Sequence, residues 1–322
     1  MRYLVTGARG FIGSAIVRAA LNAGHSVAAL VRPGSTPGRL NDVTNDVAFI
    51  HSDFTGLSLA TTREALRAFS PDVVVHAAWD GVAGAERNAT WQAARNVPAA
   101  YELLMLSADV GASHFIGLGS QAEYGPCSGR ISENQPLCPT TLYGSAKVAA
   151  CTMTQNAAMA RGVKHSWLRV FSTYGAGSEP TWVLPMAAST MARGVAPDLT
   201  CCEQRWEFLH VSDAAGAVVA VGERGATGAF NLGSGDARPL RDVLLALRDR
   251  IDPTVTPNFG AVAYRPDQVM NLEADIARLQ SATGWSPATT LESGLDEIAR
   301  EALAREALAR EALAHNRHLA HV

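Results

Sequence analysis

Tyr143 and Lys147 stand four residues apart, and Ser120 lies upstream at the end of an apolar run. Residues i and i+4 share one face of a helix, so the Lys147 ammonium sits where it can lower the phenol pKa of Tyr143. A phenol tuned toward neutrality can protonate a carbonyl oxygen as that oxygen becomes an alkoxide. Ser120 can hydrogen-bond the same oxygen, and Lys147 can also bind a nicotinamide ribose. A second group is Gly7-Ala8-Arg9-Gly10-Phe11-Ile12-Gly13, directly after the apolar Tyr3-Leu4-Val5. Gly7 permits a tight turn, Gly10 a close backbone approach, and Gly13 the packing of a helix on a sheet. The spacing is GxxGxxG rather than GxGxxG. Its place after a strand and before a helix, opening a βαβ unit, points to a dinucleotide pyrophosphate. Together these residues point to redox chemistry on a carbonyl or alcohol with a nicotinamide cofactor.

The elements that must position them alternate along the N-terminal half. Strands are predicted at Arg2 to Thr6, Ser26 to Val31, Val47 to His51, Val73 to Val75, His114 to Leu118 and Ser166 to Val170. Helices are predicted at Ile12 to Ala23, Leu59 to Phe69, Ala85 to Ala108 and Tyr143 to Ala160. Short apolar runs separated by helices imply parallel strands buried on both faces, the α/β doubly wound sheet of the Rossmann type. After Gly175 the pattern loosens. A strand at Trp206 to Val211, a helix at Asp213 to Val221 and a strand at Ala229 to Leu232 stand out there. The expected division is a dinucleotide-binding domain over 1–175, with 213–232 returning to it. A smaller substrate-binding lobe then spans 176–300, and a helical tail 301–322. The tail repeats Glu301-Ala-Leu-Ala-Arg305. A period of five puts its leucines about 140° apart, so they form no single stripe, and the tail reads as a solvated helical extension.

The chain has 322 residues, 48% hydrophobic, with a net charge of -3, a pI near 6.3 and a mean hydropathy of +0.04. That supplies an ample core and gives no reason to expect a nucleic-acid or membrane partner. No basic leader and no membrane-length apolar run is visible, so the expected location is the cytoplasm. Five cysteines without a CxxC pair argue against a zinc site or disulfide framework, and no metal is expected.

Cofactor choice is read at the end of the second strand, Val31-Arg32. An NAD-selective site usually places an acid there for the ribose 2′-hydroxyl. Arg32 can instead clamp a 2′-phosphate, with Arg9 assisting, so NADP is expected and NAD remains possible. The plainer reading is that Arg32 stacks on adenine or faces water. Asp53-Phe54 ends the third strand, where a carboxylate can accept from the adenine amino group. His76-Ala77-Ala78 ends the fourth strand, where small residues let a cofactor lie close. His76 itself reads as a structural histidine.

These motifs, in order, make the chain resemble the extended short-chain dehydrogenases/reductases, the NAD-dependent epimerases and dehydratases that act on nucleotide sugars. The resemblance runs from Met1 to about Arg300. It also includes Ser120-Gln121-Ala122-Glu123-Tyr124-Gly125, Leu168-Arg169-Val170-Phe171-Ser172-Thr173-Tyr174-Gly175, Phe208-Leu209-His210-Val211-Ser212-Asp213, Asn231-Leu232-Gly233-Ser234-Gly235, Arg265-Pro266 and Gly284-Trp285-Ser286-Pro287. It implies Ser120, Tyr143 and Lys147 as catalytic residues. It implies cofactor contacts from Gly7, Arg9, Gly10, Phe11, Ile12, Gly13, Arg32, Asp53, Phe54, Ala77, Ala78, Tyr143, Lys147 and Phe171. Substrate contacts are implied for Trp79, Gln121, Ser172, Arg205 and Arg265, the last matching the family's diphosphate-binding arginine. A homodimer is implied as well, through the helices at Ala85 to Ala108 and Tyr143 to Ala160. Two departures narrow the chemistry. Family dehydratases carry a Thr-Asp-Glu triplet where this chain has Ser120-Gln121-Ala122, which disfavours water loss. The family's Arg-Asp pair before the Phe-Leu-His strand is Trp206-Glu207 here, with Arg205 one place earlier.

The leading expectation is NADPH-dependent reduction of a nucleotide-activated 4-keto-6-deoxy sugar to the 4-hydroxy sugar. The alternative is a nucleotide-sugar 4-epimerase with tightly bound NAD. A non-catalytic cofactor sensor is the third reading, against which the intact Ser120, Tyr143 and Lys147 argue.

Overall fold

The computed structural model describes residues 1–52, 60–82, 84–265 and 268–319, with no side-chain description for 85 or 314–319. Its frame is a seven-stranded sheet built from β1 (Arg2–Thr6), β2 (Ser26–Val31), β3 (Val47–His51), β4 (Val73–His76), β5 (His114–Ser120), β6 (Lys164–Val170) and β7 (Gly228–Leu232). Every neighbouring pair is parallel, in the order β7-β6-β5-β4-β1-β2-β3. The chain order reverses beside β1, between β2 and β4. That switch point opens a crevice at the carboxyl ends of β1 and β4, where Gly7 and Ala77 lie. The strands are continuous apolar runs because both faces are covered; β4 and β5 are buried throughout.

The helices are α1 (Phe11–Asn22), α2 (Ala60–Phe69), α3 (Val97–Asp109), α4 (Leu142–Arg161), α5 (Val183–Ala192), α6 (Val211–Arg224), α7 (Leu240–Ile251), α8 (Ala277–Thr283) and α9 (Leu291–Leu319). One sheet face is covered by α1 and α6, packed through Ile16, Val17, Ala214 and Val218. The other is covered by α2, α3 and α4, through Leu66, Leu103, Leu104 and Ala158. A second core joins α5, α7 and α9 through Leu184, Met191, Leu244, Leu247, Leu295 and Ile298. Beside it lies a four-stranded sheet in the order Ala237–Pro239, Arg205–Glu207, Asn271–Ala274 and Arg130–Ile131. Two short parallel pairs complete the strands of the described residues: Thr173–Tyr174 with Leu209–His210, and Asp198–Leu199 with Asn258–Phe259.

Two expected elements are divided. The helix predicted from Ala85 to Ala108 is a 3-10 turn at Gly84–Asn88, a π-helical turn at Gln92–Asn96, and then α3. Gln92 and Asn96 spend their side chains on a neighbouring loop, and the wider turn presents both to it. The strand predicted from Trp206 to Val211 is two pieces in different sheets, because Val211 already begins α6, capped by the His210 side chain. The repeat tail belongs to α9, which starts at Leu291. Leu308 and Leu313 stand 66% and 60% exposed, in keeping with the absence of a leucine stripe. No helix of the described residues is long and apolar enough to cross a membrane. All five cysteines are free thiols.

Candidate active site

The glycine loop turns at Gly7, whose φ of +64° suits glycine. A Cβ there would stand 2.6 Å from the Ala78 nitrogen, and one on Gly13 only 2.1 Å from the Gly7 oxygen. The loop therefore closes only with glycine, and it brings β1, β4 and the start of α1 into contact. Gly10 caps α1 without any side chain, so the first backbone N–H groups of α1 face the crevice. Such a helix start has the donor set and the positive dipole end that a pyrophosphate needs. The cradle thus fits a dinucleotide. Phe11 meets Trp182 edge-to-face at 5.9 Å, and Ile12 packs against the sheet core. The Arg9 Nε is buried with no hydrogen-bond partner.

Arg32 reaches out from β2 to Asp80, with an Nη2 to Oδ1 distance of 3.2 Å and a side chain 76% exposed. Asp53 and Phe54 lie outside the described residues. His76 is buried and shares a 3.0 Å hydrogen bond with the Thr6 hydroxyl. Burial, and then the Lys147 charge, push its pKa down to about 3, so it is a neutral structural ring. Ala78 donates its N–H to the same Thr6 hydroxyl at 3.3 Å.

Ser120 ends β5, and Tyr143 and Lys147 occupy successive turns of α4, whose start is fixed by Thr141 accepting the Gly144 N–H at 3.1 Å. All three side chains are buried together. The Ser120 hydroxyl lies close enough to the Tyr143 phenol to favour its ionised form. Its pKa is nevertheless raised, mainly because burial removes water from the phenolate; the neighbouring Ser120 hydroxyl and the Arg87 charge offset part of this. The fall toward neutrality expected from Lys147 is not seen here, where burial dominates. The Lys147 Nζ donates to the Leu118 carbonyl at 2.6 Å and rests 3.6 Å from the Trp79 ring centroid, but 5.7 Å from that of Tyr143. Burial also pulls the Lys147 pKa down to about 7, against the opposing pull of Glu123. Trp79 stands edge-on to Tyr143 at 6.1 Å.

Several residues that hold this arrangement had no role in the sequence reading, even where they stood in its motifs. The Glu123 carboxylate is fully buried and accepts from the Ser120 N–H, the Trp167 indole and the Arg169 guanidinium, each at 2.9 Å. Arg169 donates onward to the Tyr124 hydroxyl at 2.9 Å, and Tyr124 to Asn231 Oδ1 at 2.6 Å. Asn231 Nδ2 then donates to the Ile131 carbonyl at 2.8 Å, which carries the network into the four-stranded sheet. The signal was available: Ser120-x-x-Glu123 is a capping box, and the structure forms it. On the other side, the Trp79 indole donates to Gln92 Oε1 at 2.9 Å, while Asp80 exchanges two hydrogen bonds with Asn96. The π-helical turn thereby clamps the loop that carries Trp79. No local pattern announces such a turn.

The expected substrate residues are more scattered. Trp79 and Gln121 adjoin the Tyr143 cluster in space and in chain respectively. Ser172 is engaged through its carbonyl, which accepts from the Leu209 N–H at 2.8 Å. Phe171 packs with Tyr124 and Ile131 in a small apolar cluster. The Arg205 guanidinium turns to the Ala237 carbonyl at 2.5 Å. Arg265 is exposed and forms no ion pair among the described residues. Arg87, absent from the expected set, lies with its guanidinium carbon 5.1 Å from the Tyr143 ring centroid.

Residues 3–233 match the family model described as NAD dependent epimerase/dehydratase family. A UDP-glucose 4-epimerase from Halalkalibacterium halodurans is 27% identical over 315 residues, covering 89% of this chain and 91% of the relative. A dTDP-6-deoxy-L-talose 4-dehydrogenase (NAD(P)(+)) from Kitasatospora kifunensis is 27% identical over 311 residues, covering 92% and 94%. The crystal structure of a UDP-glucose 4-epimerase with UDP-glucose from Thermotoga maritima shares the fold, with a TM-score of 0.85 at 24% identity, covering 96% of this chain and all of that one.

Proposed function

Because the chain belongs to the NAD dependent epimerase/dehydratase family, we propose that it is an enzyme that inverts C4 of a nucleotide sugar with a retained NAD. The observation that carries this reading is the buried Ser120–Tyr143 pair beside the glycine cradle, with no carboxylic acid at Gln121 or Ala122. Tyr143 Oη removes the proton of the C4 hydroxyl, and Ser120 donates a hydrogen bond to the oxygen as charge develops. The bound dinucleotide supplies acceptance and return of a hydride. Tyr143 gives the proton back once the 4-keto sugar has presented its other face. Lys147, on the Tyr143 face of α4, is read as the ligand of the nicotinamide ribose, which it would reach by leaving the Leu118 carbonyl. Without acids at 121 and 122 the chain lacks the groups for water loss, so 4,6-dehydration is not part of this reading. The relatives named as UDP-glucose 4-epimerases support it over net reduction.

A second reading, NADPH-dependent reduction of a 4-keto-6-deoxy nucleotide sugar, is favoured by one observation. β2 ends in Val31 and the exposed Arg32, without an acid for the ribose 2′-hydroxyl. Purified protein separates the two. Tightly bound NAD and interconversion of UDP-hexose C4 epimers without net cofactor use supports epimerisation. Stoichiometric NADPH consumption on a 4-keto substrate, with no epimerisation, replaces it with reduction.

A further inference from the structure

We propose that Cys127 and Cys138 are a redox modification site, a dithiol that closes to a disulfide by exchange with a low-molecular-weight disulfide and braces the segment between Ser120 and Tyr143. Both residues converge on one atom, the Tyr124 carbonyl oxygen. The Cys127 thiol donates to it at 3.9 Å, and the Cys138 N–H donates to it at 3.3 Å. The two stretches of chain are pressed together there. Gly125, at a φ of +70°, has no room for a Cβ against the Cys138 carbonyl oxygen. The sulfurs also feel each other: burial pushes the Cys127 thiol up, and the charge of a Cys138 thiolate adds to it. The remaining cysteines offer no comparable pair. Burial pushes the Cys151 thiol on α4 up to about 12. Cys201 and Cys202 are chain neighbours, and across a trans peptide their Cα atoms stand about 3.8 Å apart, below the roughly 4.4–6.8 Å that a disulfide spans.

Access sets the order of events, since Cys138 is exposed and Cys127 is half-buried. The Cys138 thiolate, its proton given to solvent, attacks one sulfur of the oxidant disulfide. A mixed disulfide forms and one thiolate leaves. Cys127 gives its proton to that thiolate and attacks the Cys138 Sγ, expelling the second thiolate, which takes a proton from solvent. Two protein thiols are oxidised to one disulfide, and the oxidant is reduced to two thiols. The loop so closed carries the strand Arg130–Ile131 and Glu133, whose carboxylate accepts the Asn231 N–H at 2.7 Å. Asn231 in turn accepts from the Tyr124 hydroxyl, three residues before Cys127. The bond therefore ties an edge strand of the four-stranded sheet to the turn that follows Ser120, and it removes freedom from the unfolded chain.

The test incubates the full chain with glutathione disulfide, blocks remaining thiols with iodoacetamide in denaturant, and maps tryptic peptides without reduction. Cleavage after Arg130 leaves Cys127 and Cys138 on separate peptides, so a bond between them appears as a linked pair. That pair should form, should part on treatment with dithiothreitol, and should leave Cys151 and Cys202 alkylated. In Cys127→Ser, Cys138 should stop at the mixed disulfide with glutathione. The melting temperature of the oxidised chain should exceed that of the reduced chain by roughly 5 °C, the scale for closing a loop of this length in a protein of this size. Cys127→Ser should show no such rise. Alkylation of both thiols, glutathione on both without a link, or a link between another pair overturns the dithiol site. A link between Cys127 and Cys138 with an unchanged or lowered melting temperature overturns the brace.

Discussion

Tyr143 is caught between burial, which disfavours its phenolate, and two neighbours that favour it, Ser120 and Arg87. In the proposed reaction, proton transfer to and from the substrate oxygen depends on that one hydroxyl. Tyr143→Phe keeps the ring packed against Trp79 and removes only the hydroxyl. Turnover should fall roughly 10²-fold or more while dinucleotide binding, read by fluorescence quenching or calorimetry, stays unchanged. Near-normal turnover would take Tyr143 out of the chemistry. Glu123 shows the complementary case, a charge with no contact to the crevice. It anchors the backbone of Ser120 and is itself paired with Arg169, so the serine hydroxyl is presented by a fixed strand end. A buried carboxylate is tolerated here because each oxygen has a donor.

At the scale of elements, the β1–α1 junction depends on two glycines, Gly7 and Gly13, placed where side chains have no room. Gly13→Ala puts a methyl 2.1 Å from the Gly7 oxygen, so the loop must open. Dinucleotide affinity should be lost while the far-ultraviolet circular dichroism remains that of a folded α/β protein; retained affinity would refute the cradle. Strands β5 and β6 carry a pH response. His114 and His165 are buried on them, and burial lowers both pKa values to about 4 from 6.5. Between those values the unfolded chain binds more protons than the folded one. Stability is therefore fully present above about pH 6.5 and is lost as pH falls toward 4. His165 stacks between Phe115 and Trp167, so phenylalanine can occupy its place. The fall in melting temperature over this acid range should be shallower in His165→Phe than in the parent, and an equal slope would remove His165 from the effect.

Across the whole molecule, α9 ties the lobe core to the crevice side of the sheet. Glu297 accepts the Ala176 N–H at 3.0 Å and contacts His210 at 3.1 Å, and Glu301 accepts the Gly177 N–H at 2.8 Å. Ile298, on the same turn, is buried against α5 and α7. Further along, Arg310 still reaches the Ala192 carbonyl at the end of α5, but Leu308 and Leu313 face water. The two ends of α9 should therefore respond differently in denaturant titrations. Ile298→Ala should cost about 2–5 kcal/mol by leaving a cavity. Ending the chain after Glu311 should change stability by less than about 0.5 kcal/mol. A large loss from that truncation would show that the tail is structural.

The strands, the glycine loop and the tyrosine helix were legible in the residues alone because each is local. β1, β2 and β3 match the expected bounds, and α4 begins one residue before the expected start. Apolar runs, glycine spacing and an i, i+4 pair are properties of neighbouring residues, and they report directly on backbone conformation. The broken helix after Gly84 and the divided strand around Phe208 were not legible, since both depend on partners far along the chain. The same holds for Arg87. Nothing near residue 87 points to residue 143, yet the docking of Asn88 on α4 brings them together. Lys147 marks the opposite limit. Its spacing from Tyr143 placed both on one helix face, but Trp79 and the Leu118 carbonyl decided where its ammonium rests. Periodicity sets which face a side chain occupies; only packing from other elements determines which partner its charge meets.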